Sequence, residues 1–375
     1  MSAWVLAIGG FATLVVLHEA GHFFAAKAVG MRVERFFLFF PPKLFSIKRG
    51  ETEYGIGAIP LGGFVKITGM NPEEEIPEEI ADRAYYRQPV WKRIFVIAAG
   101  PFVNIVLAFV IFFAIAGGFG LDGETTNEVG RVADDLPAGA VLERGDRLVA
   151  VDGTDVSNLR GEALTDEVSG LIGDHECAGE LTDGCEATSA VALTVERGGE
   201  PREVEMTPVY DVPTEAEAEL GAEPAMRIGF GYVGERERQG LGTSAEYSVD
   251  TAWFIASRTA TTFSRILDPE RRKEITGVVG ATEVTRQSFE FDSRQALFVL
   301  GVISLSLGLI NLLPFLPLDG GHIFWSLIEK VRGRRPALAT MERASFIGFA
   351  LVLALFVIGL NNDIDRITGD GFNVR

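Results

Sequence analysis

Two residue types that build metal and redox sites are scarce in this chain: 4 histidines and 2 cysteines among 375 residues. So few cysteines exclude a disulfide-framework domain. Cys177 and Cys185 have no histidine pair at zinc-ligand spacing beside them. They are read as a local disulfide outside the cytoplasm, with two unlinked thiols as the alternative. Basic charge is also short, 34 Lys and Arg against 52 Asp and Glu, and a net charge of -18 argues against nucleic acid as a partner. The acids gather between 122 and 250, in what reads as a solvated domain suited either to high salt or to an ordinary extracytoplasmic setting. The first residues lack the basic flank of a secretory leader. Cleavage behind their apolar run would cut off or destroy the histidines that follow, so the run is expected to stay as a first span.

Long apolar runs, by contrast, are plentiful. Residues 2–28 are long enough to cross a bilayer of about 30 Å as a helix, and further runs cover 94–118, 295–316 and 344–360. Basic residues crowd the segment after the first run (Lys27, Arg32, Arg35, Lys43) and the one after the third (Lys330, Arg332, Arg334, Arg335). Because basic loops stay in the cytoplasm, this predicts about four spans with both termini and the acidic domain outside. The stretch ETEYGIGAIPLGGFVKITGM, residues 51–70, alternates and carries Gly55, Gly57, Gly62 and Gly63. It predicts a short β-hairpin or ribbon, rather than a helix, that dips toward the membrane. Residues 73–79, EEEIPEE, read as a solvated loop. Residues 245–267 mix polar and apolar positions too evenly for a span and suit an amphipathic helix at the interface. Residues 269–284 read as a loop or re-entrant connection.

The chemistry gathers at HEAGH, residues 18–22. On a helix His18 and His22 share a face, the pattern of a zinc-binding pair, and Glu19 is placed as general base toward water. Ionisable groups inside an apolar span cost several kcal/mol and survive mainly where they serve a site. Two histidines leave a catalytic zinc one protein ligand short. Asp319 is the best candidate, in NLLPFLPLDGGH at 311–322, where Pro314, Pro317, Gly320 and Gly321 break the helix. Irregular backbone at membrane depth is tolerated where it is buried or lines a cavity; a plain Asp-Gly turn at the bilayer surface is the alternative. His322 is a weaker rival ligand, expected to serve neighbouring hydrogen bonds, and His175 is expected to lie exposed in the acidic domain. Asn104, inside the second run, is read either as bonding a neighbouring helix or as facing the site.

Residues 129–156, VGRVADDLPAGAVLERGDRLVAVDGTDV, resemble the pattern of a PDZ domain: a strand, a Pro-Ala-Gly turn, then a strand ending in a tight Asp-Gly turn. Such domains add a peptide strand to a sheet edge, although the segment holding the two cysteines looks like an insertion across that groove. Taken together, HEAGH, GPFVN at 100–104, one PDZ-like domain and NLLPFLPLDGGH resemble the site-2 protease family over nearly the whole chain. The resemblance implies one zinc ion held by His18, His22 and Asp319, with Glu19 as catalytic base and Asn311 contacting substrate or transition state. It also implies that the glycine-rich hairpin, with Gly55, Gly57, Gly62 and Gly63, holds substrate in extended form. Asn104 is carried as a further substrate contact. ITGVVGATEV departs from the usual Gly-Pro-Val-Gly-Ile type of loop, and there is one PDZ-like domain rather than two.

The expected fold class is an α-helical polytopic membrane protein with a membrane-associated β-hairpin and an inserted extracytoplasmic PDZ (α+β) domain. Its expected division is a membrane core at 1–121, the PDZ domain at 122–212, a linker at 213–294 and a second membrane core at 295–375. The expected function is zinc-dependent cleavage of transmembrane segments, with membrane proteins, the bilayer and peptide termini as partners. Two alternatives stay open. A membrane-anchored metallopeptidase acting on soluble peptides would place the site at a span's mouth. A tethered PDZ scaffold with a structural zinc would need a fourth protein ligand.

Overall fold

The computed structural model describes residues 3–71, 74–133, 136–177, 179–213, 223–264 and 276–368. The chain divides into two compact units, one built from 1–118 and 240–374, the other from 119–239.

In the first unit, helix α1 (Ala3–Ala28) contains no proline and only Lys27 as a cation. It stops where Gly30 takes φ 84° and the Met31 N–H returns to the Ala26 carbonyl, the left-handed ending that glycine permits. Strands β1 (Val33–Arg49) and β2 (Thr52–Ile67) follow, then a single-turn helix α2 (Glu78–Ala81). Helix α3 (Val90–Ala114) starts after Pro89 and carries Pro101 inside it. Helices α4–α9 are numbered on from here, α4 lying in the other unit. The remaining helices of this unit are α5 (Leu241–Ser264), α6 (Val278–Phe291), α7 (Ser293–Asn311), α8 (Asp319–Arg332) and α9 (Leu338–Thr368). Helix α3 is the hub, with α1, α5, α7 and α8 all packed on it. Small residues allow this close approach. A Cβ on Gly21 of α1 would lie 2.5 Å from the Ala99 carbonyl oxygen, and one on Gly301 of α7 would lie 2.6 Å from the Phe112 ring.

Four helices are long and apolar enough to cross a membrane: Ala3–Ala28, Val90–Phe119, Ser293–Asn311 and Ala339–Thr368. Their outer faces suit lipid. Phe346 and Ile347 of α9 are 74% and 69% exposed, and Phe102 and Val110 of α3 are exposed too, more apolar surface than a protein in water leaves uncovered. Helix α5 is not among the four. Its buried Ser244 and Ser248 and its Tyr247 and Ile255 turn toward α3 and α7.

Several expectations are corrected. Residues 51–70 do not close a hairpin on themselves: β2 pairs with β1, whose FFLFFPPKLFSI core lies upstream. The first half of β1 has ladder neighbours on both flanks, Leu38 lying opposite both Gly63 and Ile56. Among the described residues, segment 59–67 pairs only with that half, which leaves its other side an edge. Residues 278–284, expected as a loop, form the start of α6. Its first turn is capped from a distance by the buried Asp363 carboxylate, which accepts from the Gly277 and Gly280 N–H groups. Residues 269–275 lie outside the described residues. The third span ends at Asn311 rather than 316, and the helix restarts at Asp319. The last helix continues through NNDIDRIT to Thr368.

In the second unit, a sheet ordered β10-β3-β4-β6-β7 joins β3 (Leu121–Val132), β4 (Arg147–Val151), β6 (Val191–Arg197), β7 (Glu200–Met206) and β10 (Phe230–Glu237), with β5 (Thr154–Asp155) paired to β4. The Asp-Gly turn after β4 has φ 46° at Asp152 and 79° at Gly153, as a two-residue hairpin requires. Helix α4 (Gly161–Gly173) seals the core with Leu164, Val168 and Ile172 over Leu148, Val151, Leu193 and Val195. A short pair, β8 (Val209–Asp211) with β9 (Ala225–Arg227), completes the unit. Because β10 pairs with β3, this unit reaches 239, so the expected linker at 213–294 divides between the two units. Cys177 and Cys185 are disulfide-bonded, their Cα atoms 5.9 Å apart. His175 is not exposed: its ring bridges Asp152 (Nε2 to Oδ2, 2.9 Å) and Ser189 (Nδ1 to Oγ, 2.7 Å) with its side chain 11% exposed.

Candidate metal centre

Helical periodicity puts His18 and His22 on the face of α1 that meets α3. Both are 7% exposed. Asp319 comes from the far end of the chain, delivered by the turn 312–318 to the first position of α8. A Cβ on Gly320 would meet the Leu312 carbonyl oxygen at 2.2 Å, and one on Gly321 the Leu316 nitrogen at 2.5 Å. The two glycines let the turn fold tightly back on the helix it starts, and that places the carboxylate.

Three atoms converge. His18 Nε2 lies 3.3 Å from His22 Nε2 and 3.3 Å from Asp319 Oδ2, and His22 Nε2 lies 3.2 Å from the same oxygen. Asp319 Oδ2 is buried and makes no hydrogen bond. A tetrahedral zinc with bonds of 2.0–2.1 Å has ligand-to-ligand edges of about 3.3 Å, so the triangle has the dimensions that such an ion requires. The donor set, two imidazole nitrogens and one carboxylate oxygen, also suits zinc and leaves a fourth position open. Among the described residues it is the one cluster of three such donors. His22 Nδ1 donates to the Val96 carbonyl at 2.9 Å, which fixes the tautomer and turns the Nε2 lone pair inward.

Glu19 stays out of the triangle. It stands one residue round the helix from His18, with Val65 of β2 close to its carboxylate. A Cβ on Gly63 would lie 2.9 Å from its Cγ. Of the four glycines expected to line the site, Gly63 is the one against Glu19. Gly55 and Gly57 serve closeness within the sheet, their Cβ positions 2.6 Å from the Phe37 ring and 2.2 Å from the Phe40 carbonyl oxygen, while Gly62 takes φ 125°. Asn311 ends α7, its amide donating to the Leu307 carbonyl of its own helix at 3.0 Å. Asn104 is fully buried in the seam between α3 and α7, where its backbone carbonyl accepts from Ser304 Oγ. His322 lies one turn beyond Asp319 and outside the triangle.

Sequence reasoning missed Gly100. Its Cβ position lies 2.2 Å from His22 Nε2, so α3 can approach His22 only because this residue has no side chain. The signal was present, since a glycine inside an apolar span marks a close helix crossing.

Two buried histidines on an apolar helix and a carboxylate at the start of α8, with a second carboxylate beside them, define a metallopeptidase-type centre. The chain belongs to peptidase family M50, whose model matches residues 6–355. Zinc metalloprotease Rip1 of Mycolicibacterium smegmatis is 33% identical over 92% of this chain and 90% of its own length, and the Rip1 of Mycobacterium tuberculosis is 31% identical over 92% and 90%. A solved PDZ domain of the SdrC-like protein from Listeria monocytogenes aligns with 30% of this chain and 90% of its own at 18% identity, with a TM-score of 0.20, too loose a likeness to carry an argument.

Proposed function

We propose that this peptidase is a zinc-dependent intramembrane endopeptidase that cleaves transmembrane segments of other membrane proteins in regulated intramembrane proteolysis. The observation that carries the reading is the triangle that His18 and His22, on an apolar helix long enough to span, form with Asp319 at the start of α8, with Glu19 beside it. When bound, zinc supplies Lewis acidity toward water and the scissile carbonyl. The chain's own residues do the rest. Val96 holds the His22 ring in its tautomer, and Gly63 of β2 packs against Glu19. Glu19 takes the proton from the attacking water and passes it to the leaving amine.

A helical substrate hides its peptide bonds in its own hydrogen bonds, so the segment to be cut has to unwind. Edge segment 59–67 lies beside Glu19 and offers unpaired backbone groups to an extended chain, which satisfies groups that a bilayer would otherwise penalise. Asn311 contacts the substrate from the end of α7, and Asn104 reaches it only if the α3–α7 seam opens. Unit 119–239 is a PDZ-type domain on the extracytoplasmic side, with both termini, and it selects substrates rather than performing chemistry.

Glu19→Gln and Asp319→Ala test this. The Gln variant should keep one zinc per chain and lose nearly all cleavage of a transmembrane reporter, because an amide cannot accept the proton. The Ala variant should lose zinc itself, with one of three protein ligands removed. Unchanged zinc content and cleavage in either would overturn the reading.

A further inference from the structure

Helix α8 carries the Asp319 ligand at its first residue, yet its buried residues are Gly320, Gly321 and Ser326. Of its large apolar side chains Ile323 packs, partly buried, against the cluster that holds Val96 and Ile97. Beyond Ile323, what reaches inward is a polar stripe. Ser326, 6% exposed, sits beside the Tyr85 side chain. One turn further on, Glu329 Oε1 accepts from Arg93 Nη2 of α3 at 2.7 Å, the two side chains 16% and 8% exposed. The Arg93 guanidinium lies 5.9 Å from the Tyr85 ring centroid, and Arg335 approaches the same Glu329 oxygen at 3.4 Å.

Buried ion pairs are poor net stabilisers, because desolvation offsets most of their attraction, but they are strongly directional. Asp319 and Glu329 are ten residues apart on one rigid helix, about 15 Å at 1.5 Å per residue. A rotation of α8 by 20° would carry a side-chain tip at a radius of 5–6 Å through about 2 Å, enough to open the 3.2–3.3 Å triangle. The other end of the clamp is equally telling. Arg93 sits one turn before Val96, the residue that orients His22.

We infer that Arg93 and Glu329 are positioning residues for the metal centre, a clamp by which α3 sets the register of α8 and so the place of Asp319, just as its Val96 carbonyl sets His22. The inference rests on Asp319 being a ligand, as proposed above.

The test measures zinc affinity of the full chain in detergent by chelator competition, beside thermal unfolding. Glu329→Ala should weaken zinc binding about 10–100-fold, the range for lost support of a metal ligand, and lower the melting temperature by stranding Arg93. A double variant, Arg93→Met with Glu329→Leu, should recover the melting temperature, since an apolar pair packs as well as a buried ion pair. It should still bind zinc at least about 10-fold more weakly, because nothing directional remains. That split is what a merely structural role would not produce. If the double variant regains the parent's zinc affinity, the clamp is ordinary packing and the inference falls; if Glu329→Ala folds and binds zinc as the parent does, it falls as well. Should Glu329→Ala fail to fold, the double variant decides alone. Asp319→Ala run in parallel separates the two ideas: unchanged affinity there sinks the ligand assignment, whereas a loss there with none in the clamp variants sinks only the clamp.

Discussion

Gly100→Ala sets two physical effects against each other. In the middle of helix α3, alanine in place of glycine favours the helix by up to about 1 kcal/mol. The added methyl, however, would lie 2.2 Å from His22 Nε2 and 2.6 Å from its Cε1. Non-bonded heavy atoms settle at about 3.5 Å, so either the ring or α3 has to move by roughly 1.3 Å. The ring cannot move that far while keeping its 2.9 Å bond to the Val96 carbonyl or the 3.2 Å separation of Nε2 from Asp319. α3 cannot retreat easily either, because Gly21 holds it against α1 at the Ala99 carbonyl. Losing that orienting bond alone lowers metal affinity about 10–100-fold, and displacing the ligand atom itself adds to this. The assay is zinc content by elemental analysis after dialysis against a chelator, with helicity and melting temperature followed by circular dichroism. The expected outcome is a well-folded, fully helical protein with little zinc. Gly9→Ala is the control, since nothing lies within 4 Å of a Cβ there; it should keep zinc fully. A Gly100→Ala protein that binds zinc as tightly as the parent would refute the steric argument.

Glu51 joins the β1–β2 turn to Arg83, with two bonds of 2.7 and 2.8 Å, and to Lys27 at the end of α1. The Arg83 guanidinium first, and Lys27 after it, hold its carboxyl down at about 2, against an ordinary 4.5. A depressed carboxylate stabilises the fold above its ordinary value, so the stability gap between the parent and Glu51→Gln should be full at pH 7. It should shrink below about pH 4.5 and vanish near pH 2; a gap independent of pH in thermal melts would contradict this. Reducing the Cys177–Cys185 bond, which closes a separation of 8 residues, should destabilise unit 119–239 by about 2.5 kcal/mol by loop-closure entropy and leave zinc binding untouched, as denaturant titration of the oxidised and reduced chain would show. Replacing 119–239 by a flexible linker should preserve zinc content and change which reporters are cut, and complete zinc loss from a folded deletion would argue the opposite.

Much of the centre was legible because it is local. His18 and His22 are one helical turn apart, and the breaks around Asp319 are written as prolines and glycines. What stayed hidden was relational. Gly100 has meaning only once His22 is known to press on it, and a backbone carbonyl such as that of Val96 leaves no trace in residue identity. The edge beside Glu19 was half-read, because the partner of β2 is the upstream segment FFLFFPPKLFSI, whose aromatics and double proline hide its alternation. Helix α8 was masked by the glycines at its start and the basic cluster at its end, and α6 by VVGATEV, whose start is fixed by Asp363 more than 80 residues away. His175 looked like a solvated residue until its bonds to Asp152 and Ser189 could be seen.

The separation in the chain of the three residues proposed as ligands also sets a schedule. His18 and His22 leave the ribosome early, whereas Asp319 follows about 300 residues later, after the whole of unit 119–239. At 5–20 residues per second that is a delay of roughly 15–60 s. Through that interval the nascent chain holds His18, His22 and Glu19 but not Asp319, so under the proposed assignment it can neither complete the metal site nor cleave. Any product truncated before residue 319 is inert by the same reasoning. Competence in the proposed reading waits on Asp319, the last of the three residues to be made, which makes the order of synthesis itself a safeguard.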